Sequence, residues 1–455
     1  MTVKDQKNDI LSPEEWLELV EHQDATELRN KLMELHPADV AAIVEQIPYE
    51  LQAQIFSLIE DEEIAAEVAA ELDELTQSRL FSTMSPTNVA GIVENLDSDD
   101  AADLLAVLSD AHAGQIIDNL TEDARMEVEE LLGYHEDSAG GIMAKEAVEA
   151  LVTDTVGEVI IKLRAQAEEV EDVYNIYLLD DNRVLMGLIS LKDLILAENT
   201  DIVAAYMDGD FVKVNVNLDQ EEVSELFRRY DLASIPVIDD NGEFLGRVTH
   251  DDIIDVIHEE AEEDFAHLTG HSTFDPGETS LIRNIKHRLP WLLIGLTGGL
   301  VAATVLSGFA VQLSRTTTLV FFLPMVAAMG GNAGIQTSSL MVRGLATGEI
   351  GEFGRNKRLM RELVVACFTG LACAITVFIV SLLWKGDMVL STVVAISLLI
   401  VVVSAAFVGV LIPLTLSKFN IDPALATGPF ITTSNDVIGL LIYLGIAHLL
   451  FNMYS

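Results

Sequence analysis

Asp436 is the residue whose position in the sequence most clearly indicates a chemical role. It lies in the apolar segment 423–455, where it is the one formally charged residue. A charged side chain inside a membrane-spanning helix costs about 2.5–3.5 kcal/mol on insertion scales, so Asp436 should face a bundle interior or an aqueous path. The polar residues just before it are Thr432, Thr433, Ser434 and Asn435. Gly428 and Pro429 should break or bend the helix there, which frees carbonyl groups for the same path.

A second polar stretch lies in the uncharged segment 316–342. It is rich in glycine, amide and hydroxyl groups: Gly330, Gly331, Asn332, Gly334, Gln336, Thr337, Ser338 and Ser339. Close helix packing with amide hydrogen bonds explains such a stretch as well as a pore lining does. With that alternative open, the pore-lining candidates are Asn332, Gln336, Gly428, Thr432, Thr433 and Asn435.

One carboxylate per chain is a poor ligand set for removing water from a small hard cation. Mg²⁺ loses its water reluctantly and usually keeps much of its hydration shell. A path that holds the ion through its water needs polar groups and a little negative charge. Two copies of Asp436 on a two-fold axis would supply that charge, so we expect a homodimer. Residue types alone do not distinguish Mg²⁺ from other divalent cations.

Residues 250–268 are predicted to form an amphipathic helix that joins two parts of the chain. The apolar stripe would consist of Ile254, Ile257, Ala261, Phe265 and Leu268, and the acidic side of Asp252, Asp255, Glu259, Glu262 and Glu263. Like charges three or four residues apart repel by a few tenths of a kcal/mol per pair. A solvated face is one interpretation of the acidic side. The other is a divalent cation bound against a second acidic surface, for which oxygen ligands favour Mg²⁺ or Ca²⁺.

Residues 136–258 contain a repeat with an offset of 59 residues. Asp181, Asn182, Gly187, Ser190, Asp193 and Ile195 recur as Asp240, Asn241, Gly246, Thr249, Asp252 and Ile254. Each copy predicts two strands joined by a turn, then a helix that begins at the hydroxyl residue. The hydroxyl and the aspartate three residues later suit helix capping. The pattern also resembles tandem CBS domains, in which this pair often binds an adenosine ribose, so capping and ribose binding both stay open.

The charges divide the chain of 455 residues into two parts. Residues 1–280 hold 67 acidic and 15 basic residues, whereas residues 281–455 hold 6 acidic and 11 basic. This division excludes a single globular domain, and the strong negative charge argues against nucleic-acid binding. The apolar part predicts five membrane-spanning helices, because four uncharged segments and the segment that carries Asp436 each exceed the roughly 20 residues that cross a bilayer. Their approximate bounds are 289–313, 317–342, 362–384, 388–416 and 424–452.

The basic residues at the ends of these segments predict their orientation. Nine Lys and Arg residues lie before the first segment, between the second and third, and between the fourth and fifth; only Arg315 and Lys385 lie in the alternate loops. The N-terminal part is therefore expected in the cytoplasm and the C-terminus outside, in the plasma or inner membrane. No cleavable signal peptide is expected.

The remaining N-terminal part is predicted to be helical. Residues 14–132 keep helical spacing of apolar residues, and Pro37 and Pro86 open two similar runs, as suits the first turn of a helix. The predicted domains are a helical N-domain at 1–135, CBS repeats at 136–199 and 200–258, an acidic linker helix within 250–280 and a transmembrane domain at 281–455.

This order of domains resembles the MgtE family of magnesium transporters and channels across nearly the whole chain. The most specific motifs are S-A-G-G-I-M-A at 138–144, G-G-N-A-G-I-Q at 330–336, V-R-G-L-A-T-G-E-I at 342–350 and G-P-F-I-T-T-S-N-D at 428–436. The resemblance implies a homodimeric Mg²⁺-selective channel with its pore on the two-fold axis and Asp436 as the selectivity carboxylate.

The resemblance also implies that cytosolic Mg²⁺ closes the channel by bridging acidic residues. At matching positions these are Asp231, Asp252, Asp255, Glu260, Glu263 and Asp264. Some family members bind ATP at the CBS region, and the positions that match best are Tyr174, Ser190, Lys192 and Asp193. Leu232 stands where some relatives carry an aromatic residue.

Two other classes of function remain as alternatives. One is a CBS-gated transporter of another ion, such as Co²⁺ or Mn²⁺, and the other is a non-conducting membrane sensor. An enzyme is not expected, since the sequence lacks G-x-x-x-x-G-K-[S/T], H-E-x-x-H and G-x-S-x-G motifs.

Overall fold

The computed structural model describes residues 25–166, 170, 173–269, 281–346, 355–419, 423 and 428–454. The chain forms two compact units, Met1–Ile257 and His258–Ser455. The first contains short helices followed by two small sheets, and the second consists of long apolar helices.

Nine short helices build the N-terminal part of the first unit within residues 25–131. They are α1 (Ala25–Leu32), α2 (Pro37–Gln46), α3 (Tyr49–Phe56), α4 (Glu62–Ala70), α5 (Glu74–Phe81), α6 (Pro86–Val93), α7 (Ser98–Ala106), α8 (Asp110–Ile117) and α9 (Glu122–Leu131). Pro37 and Pro86 occupy the first turns of α2 and α6, as the sequence predicts. One hydrophobic core, with Val44, Phe81 and Leu104 among its fully buried side chains, holds these helices together.

Two three-stranded sheets follow, and they confirm the internal repeat. The elements are β1 (Glu149–Leu151), α10 (Val156–Ala165), β2 (Asn175–Leu179), β3 (Leu185–Ser190) and α11 (Leu191–Leu196), then β4 (Val214–Asn215), α12 (Gln220–Tyr230), β5 (Ser234–Ile238), β6 (Phe244–Thr249) and α13 (His250–Thr269). In each sheet the first pair of strands is parallel and the second antiparallel. Asn175 lies opposite Ser190 in one sheet, and Ser234 lies opposite Thr249 in the other.

The helix α13 has the predicted length, but the prediction of its apolar stripe is wrong in the first two turns. Ile254 and Ile257 are 62% and 50% exposed, whereas Ile253 and Val256 are 4% and 2% exposed. Both pairs have helical spacing of three residues, so periodicity cannot choose between them. Packing determines which pair is buried, because Ile253 belongs to the hydrophobic core of the second sheet. The side chains at positions 264, 265, 268 and 269 lie outside the described residues.

The second unit contains five helices that are long and apolar enough to cross a membrane. The elements are α14 (Leu281–Gly308), α15 (Ala310–Arg315), a 3₁₀ helix (Thr317–Phe322), α16 (Leu323–Ala346), α17 (Arg355–Lys385), α18 (Met388–Lys418) and α19 (Gly428–Tyr454). The helix α18 is the most buried, and it packs against α16, α17 and α19. This arrangement confirms the predicted fold class: an all-α N-terminal region, an α/β pair of repeats and an all-α domain with five long apolar helices.

Two helix ends differ from the sequence prediction for local reasons. The helix α14 ends at Gly308, where glycine is a poor helix former, and a short separate helix follows. A 3₁₀ helix precedes Pro324. Proline has no backbone N–H to donate to the carbonyl four residues earlier, so the α-helix does not extend towards the N-terminus past this point. The described part of α19 begins at Gly428, so the predicted helix start at 424 lies outside the described residues.

A buried hydrogen bond joins α19 to the 3₁₀ helix. The fully buried Tyr443 hydroxyl donates to the Leu319 carbonyl at 3.0 Å. We expect Tyr443→Phe to lower the free energy of unfolding by about 0.5–1.5 kcal/mol, because the carbonyl loses its donor inside an apolar bundle. Thermal unfolding in detergent measures the change. Thr376→Val, which removes an exposed hydroxyl from α17, is the matched control and should unfold like the wild type.

Candidate functional site

An acidic surface lies where α7 approaches the start of α13, within the first unit. Asp99 on α7 is 7% exposed, and burial together with the negative charges of Asp252 and Asp100 raises the pKa of Asp99 well above its usual value. Burial, followed by the charges of Asp252 and Asp97, raises the pKa of Asp100 to about 8. These carboxylates therefore repel one another at close range, and a cation between them would remove that repulsion.

Asp103 and Asp252 belong to the same surface. The protein that surrounds Asp103, followed by the charges of Glu74 and Asp252, raises the pKa of Asp103 to about 7 even though part of its side chain reaches solvent. Burial also raises the pKa of Asp252, against two hydrogen bonds that lower it. The Thr249 amide and hydroxyl donate to Asp252 Oδ2 at 2.8 and 2.7 Å, so the repeat's hydroxyl–aspartate pair fixes this carboxylate in place.

The helix α7 is attached to the CBS region beside this surface. The Ser98 amide and hydroxyl donate to the Glu146 carboxylate at 3.1 and 2.9 Å, and the Lys145 amide donates to the Ser98 hydroxyl at 2.8 Å. The Lys145 ammonium pairs with Glu130 at 2.6 Å. These bonds attach the first turn of α7 to the segment just before β1. Asp99 follows Ser98 directly, so the same bonds keep Asp99 close to Asp252.

The other acidic residues predicted from the sequence are more dispersed. Asp231 is exposed and ends α12 in a left-handed conformation with φ 54°. Asp255 is exposed and adds negative charge near Asp100. Glu260 is half-buried and Glu263 exposed on α13, and the side chain of Asp264 lies outside the described residues. In the part of the chain that the structure describes, no three His, Cys, Asp or Glu side chains are grouped closely enough to hold a bare metal ion.

Three aspartates of this surface were not predicted as site residues. Asp99, Asp100 and Asp103 lie within residues 14–132, for which the sequence predicts helices and no binding role. Its partner Asp252 follows about 150 residues later in the sequence, so the sequence carries no direct sign that the two meet. The excess of acidic residues at the beginning of α7 was the available signal.

The predicted nucleotide residues lie together in the first repeat. The Leu191 amide donates to the Tyr174 carbonyl at 3.1 Å, which places Tyr174 beside the start of the helix that carries Lys192 and Asp193. The Ser190 hydroxyl donates to Asp193 Oδ2 at 2.6 Å and accepts from the Asp193 amide at 3.0 Å, as the capping interpretation predicts. The Tyr174 hydroxyl also lies 3.5 Å from His250 Nδ1 of the second repeat, so this surface adjoins both repeats.

The predicted pore-lining residues of the second unit lie on α16 and α19. Asp436 is half-buried on α19, and the Thr432 hydroxyl donates to the Gly428 carbonyl at 3.0 Å. Thr433 lies so close to Gly298 of α14 that a methyl group on that glycine would overlap it. Asn332 and Gln336 are exposed on α16, whereas Asn435 is buried against Gly334.

Together, the fold and these surfaces define a class of protein: a multi-pass membrane protein with a helical domain and a CBS pair before its spanning helices. Three family matches agree with that description. Residues 35–137 match the MgtE intracellular N domain, residues 203–259 match the CBS domain, and residues 323–446 match MgtE, described as a divalent cation transporter.

Similar proteins show the family. The chain is 34% identical to the magnesium transporter MgtE of Bacillus subtilis, over 92% of this chain and 93% of that one. It is 35% identical to the magnesium transporter MgtE of Thermus thermophilus, over 95% and 97% of the two chains. A solved cytosolic domain of the Mg²⁺ channel MgtE in complex with ATP is 36% identical, with a TM-score of 0.51, and covers 54% of this chain and all of its own. The chain belongs to the MgtE family of divalent cation transporters.

Proposed function

We propose that this chain is a Mg²⁺-selective channel of the plasma membrane that conducts along the axis of a homodimer and closes when Mg²⁺ binds its cytosolic region. The observation that carries the regulatory part is the acidic surface formed by Asp99, Asp100, Asp103 and Asp252. Family membership and the names of the relatives support Mg²⁺ as the transported ion. The basic residues at the helix ends support a cytoplasmic N-terminus and an outside C-terminus.

The acidic surface acts as the sensor through electrostatic repulsion. Without cations, the closely spaced carboxylates of α7 and α13 repel one another and loosen the attachment of α7 to the CBS region. Mg²⁺ bound through its water or directly to these oxygen atoms neutralises the charge and favours the compact arrangement. A ligand shifts such an equilibrium only through its different affinities for the two states, so several weak sites act together. The further acidic residues in this role are Asp231, Asp255, Glu260, Glu263 and Asp264.

In the proposed conduction path, Asp436 lies where a hydrated cation passes. Its carboxylate is half-buried, and the three residues Thr432, Thr433 and Ser434 supply hydroxyl groups within the preceding turn of α19, which suits an ion that keeps its water. In a homodimer, two Asp436 carboxylates face the same ion. The exposed amides of Asn332 and Gln336 on α16, with Gly428, Thr432 and Thr433, line the path near them, and membrane lipid contacts the outer helix surfaces.

ATP is proposed as a second ligand, bound at the CBS region. Tyr174 stacks on the base, Ser190 and Asp193 contact the ribose, and Lys192 pairs with phosphate. Two observations support this: these residues lie together, and a relative's cytosolic domain forms a complex with ATP. The hydrogen-bonded pair of Ser190 and Asp193 would keep its capping role while the outer oxygen atoms take the ribose.

Ion flux into liposomes that contain only the purified full-length protein tests the proposed function. We expect Mg²⁺ uptake, and we expect Mg²⁺ applied to the cytosolic face to lower the open probability in patch-clamp recordings. Co²⁺ and Mn²⁺ measured in the same liposomes serve as the comparison. Faster uptake of either would favour a transporter of that ion, and no flux of any of the three would favour a non-conducting sensor.

A further inference from the structure

Asn435 occupies an unusual position in the second unit. Its side chain is 2% exposed, and it lies at the junction of α19, α16 and α18. A methyl group added at Gly334 would overlap Asn435 Nδ2, and one added at Gly330 would lie 3.9 Å from Asn435 Cβ and 3.1 Å from a methyl group of Val401. The amide therefore packs directly against Gly334 of α16, beside Gly330, which in turn packs against Val401 of α18.

Neither end of this amide is satisfied. Asn435 Oδ1 and Nδ2 are both buried and have no hydrogen-bond partner among the residues that the structure describes. Almost all buried polar groups in proteins have a partner, and one without a partner destabilises the arrangement that buries it. In an apolar bundle no bulk water replaces the missing bonds. This packing is thus less favourable, by roughly tenfold in population or more, than it would be with an apolar side chain of the same shape.

Asn435 is also the residue next to Asp436. In the proposed function, the water molecules around a cation at Asp436 donate hydrogen bonds, because the metal withdraws their electrons. An amide oxygen is a good acceptor for such water, and no donor among the described residues competes for Asn435 Oδ1. Burial of the amide without partners is unfavourable, and the proposed cation site next to it offers hydrogen-bond donors. These two facts point to a second position for the Asn435 side chain.

We propose, resting on the proposed function, that Asn435 is a specificity-determining residue of the conducting state. In that state its amide leaves the contact with Gly334 and accepts hydrogen bonds from the water of the cation at Asp436. In the packed arrangement the amide is withdrawn behind α16, and the absence of a side chain at Gly334 permits that withdrawal. The junction of Asn435 with Gly330 and Gly334 is thus an element with two arrangements, of which only one contributes to ion binding.

Asn435→Leu tests the proposal, because leucine has nearly the shape of asparagine but no polar atoms. We expect the apolar side chain to raise the midpoint of thermal unfolding in detergent, since the unsatisfied amide is gone. We also expect Mg²⁺ flux in liposomes without Mg²⁺ on the cytosolic side to fall about tenfold, since the packed arrangement gains stability and the acceptor is lost. Higher stability combined with lower flux is the expected signature.

Two further variants complete the test. Ser397→Ala removes from α18 a buried hydroxyl that also has no hydrogen-bond partner among the described residues, and we expect its flux to equal that of the wild type. Gly334→Ala adds the methyl group that would overlap the amide, so we expect more flux at high cytosolic Mg²⁺ than in the wild type. A lower unfolding midpoint for Asn435→Leu would show that the amide is satisfied where it lies, and unchanged flux would show that it does not serve conduction; either overturns the proposal. Absence of flux in the wild type would instead overturn the proposed function.

Discussion

Replacing Asp436 by alanine is expected to lower Mg²⁺ flux by more than about a hundredfold. A carboxylate that faces a divalent ion across one layer of water, at about 5 Å, contributes roughly 1.7 kcal/mol even at the dielectric constant of bulk water. That is more than tenfold in ion occupancy, and two copies in a homodimer multiply the effect. The surroundings of Asp436 are less polar than water, so this value is a lower bound. Flux into liposomes measures the change, and growth of a strain that lacks its own Mg²⁺ transporters at low Mg²⁺ confirms it.

Two variants separate the charge of Asp436 from its shape. Asp436→Asn keeps the size and polarity of the side chain, so we expect it to fold like the wild type and to conduct as poorly as the alanine variant. Asp436→Glu keeps the charge on a longer side chain, and we expect it to retain part of the flux. Wild-type flux in the asparagine variant would remove the charge at position 436 from the conduction mechanism.

The general architecture could be predicted from the sequence because it depends on long-range averages of composition. Four uncharged runs longer than about 20 residues, with a fifth apolar run that carries Asp436 as its one charge, are enough to indicate five spanning helices. The repeat with an offset of 59 residues is enough to indicate two equivalent sheets, and the strand registers of the two sheets agree. Helix ends were less predictable, because Gly308 and Pro324 act locally within runs that are apolar throughout.

The acidic surface could be predicted only in part. Asp252 stands out in the sequence because it belongs to the repeat and to the acidic side of α13. Asp99 and Asp100 become part of the acidic surface only because the fold brings them close to Asp252. Those residues are distant in the sequence, so no local sequence pattern predicts that they meet. The same limit explains the error in the apolar stripe of α13, since the sheet core that selects Ile253 over Ile254 lies elsewhere in the sequence.

Asn435 shows a similar limit in the membrane domain. From the sequence, every polar residue near Asp436 is an equal candidate for the pore lining. The structure separates them, because Asn332 and Gln336 are exposed on α16 while Asn435 is buried against Gly334. The presence of polar residues predicts that the membrane domain contains a polar path. Which of those residues line the path depends on how the helices pack.

Removing two charges from the acidic surface, with Asp100→Asn and Asp103→Asn together, is expected to abolish most of the response to cytosolic Mg²⁺. The open probability should then be nearly the same with and without Mg²⁺, because the repulsion that Mg²⁺ relieves is largely gone. Asp110→Asn with Asp123→Asn removes the same charge from exposed positions on α8 and α9 and is the matched control. An unchanged Mg²⁺ response in the first double variant would place the sensor elsewhere.

The pKa values of this surface predict how the Mg²⁺ response depends on pH. The pKa of Asp100 is about 8 and that of Asp103 about 7 in the folded protein, against an ordinary 3.8, so the folded state binds more protons than the unfolded state between about pH 4 and pH 8. The stability that these groups contribute is therefore lost as the pH rises through that range. Mg²⁺ competes with those protons, so its stabilising effect should be small at pH 6 and large at pH 8.5. Thermal unfolding of the full-length protein at both pH values, with and without Mg²⁺, measures this difference. The Asp100→Asn, Asp103→Asn variant should lose most of it, because asparagine resembles the protonated aspartate at every pH.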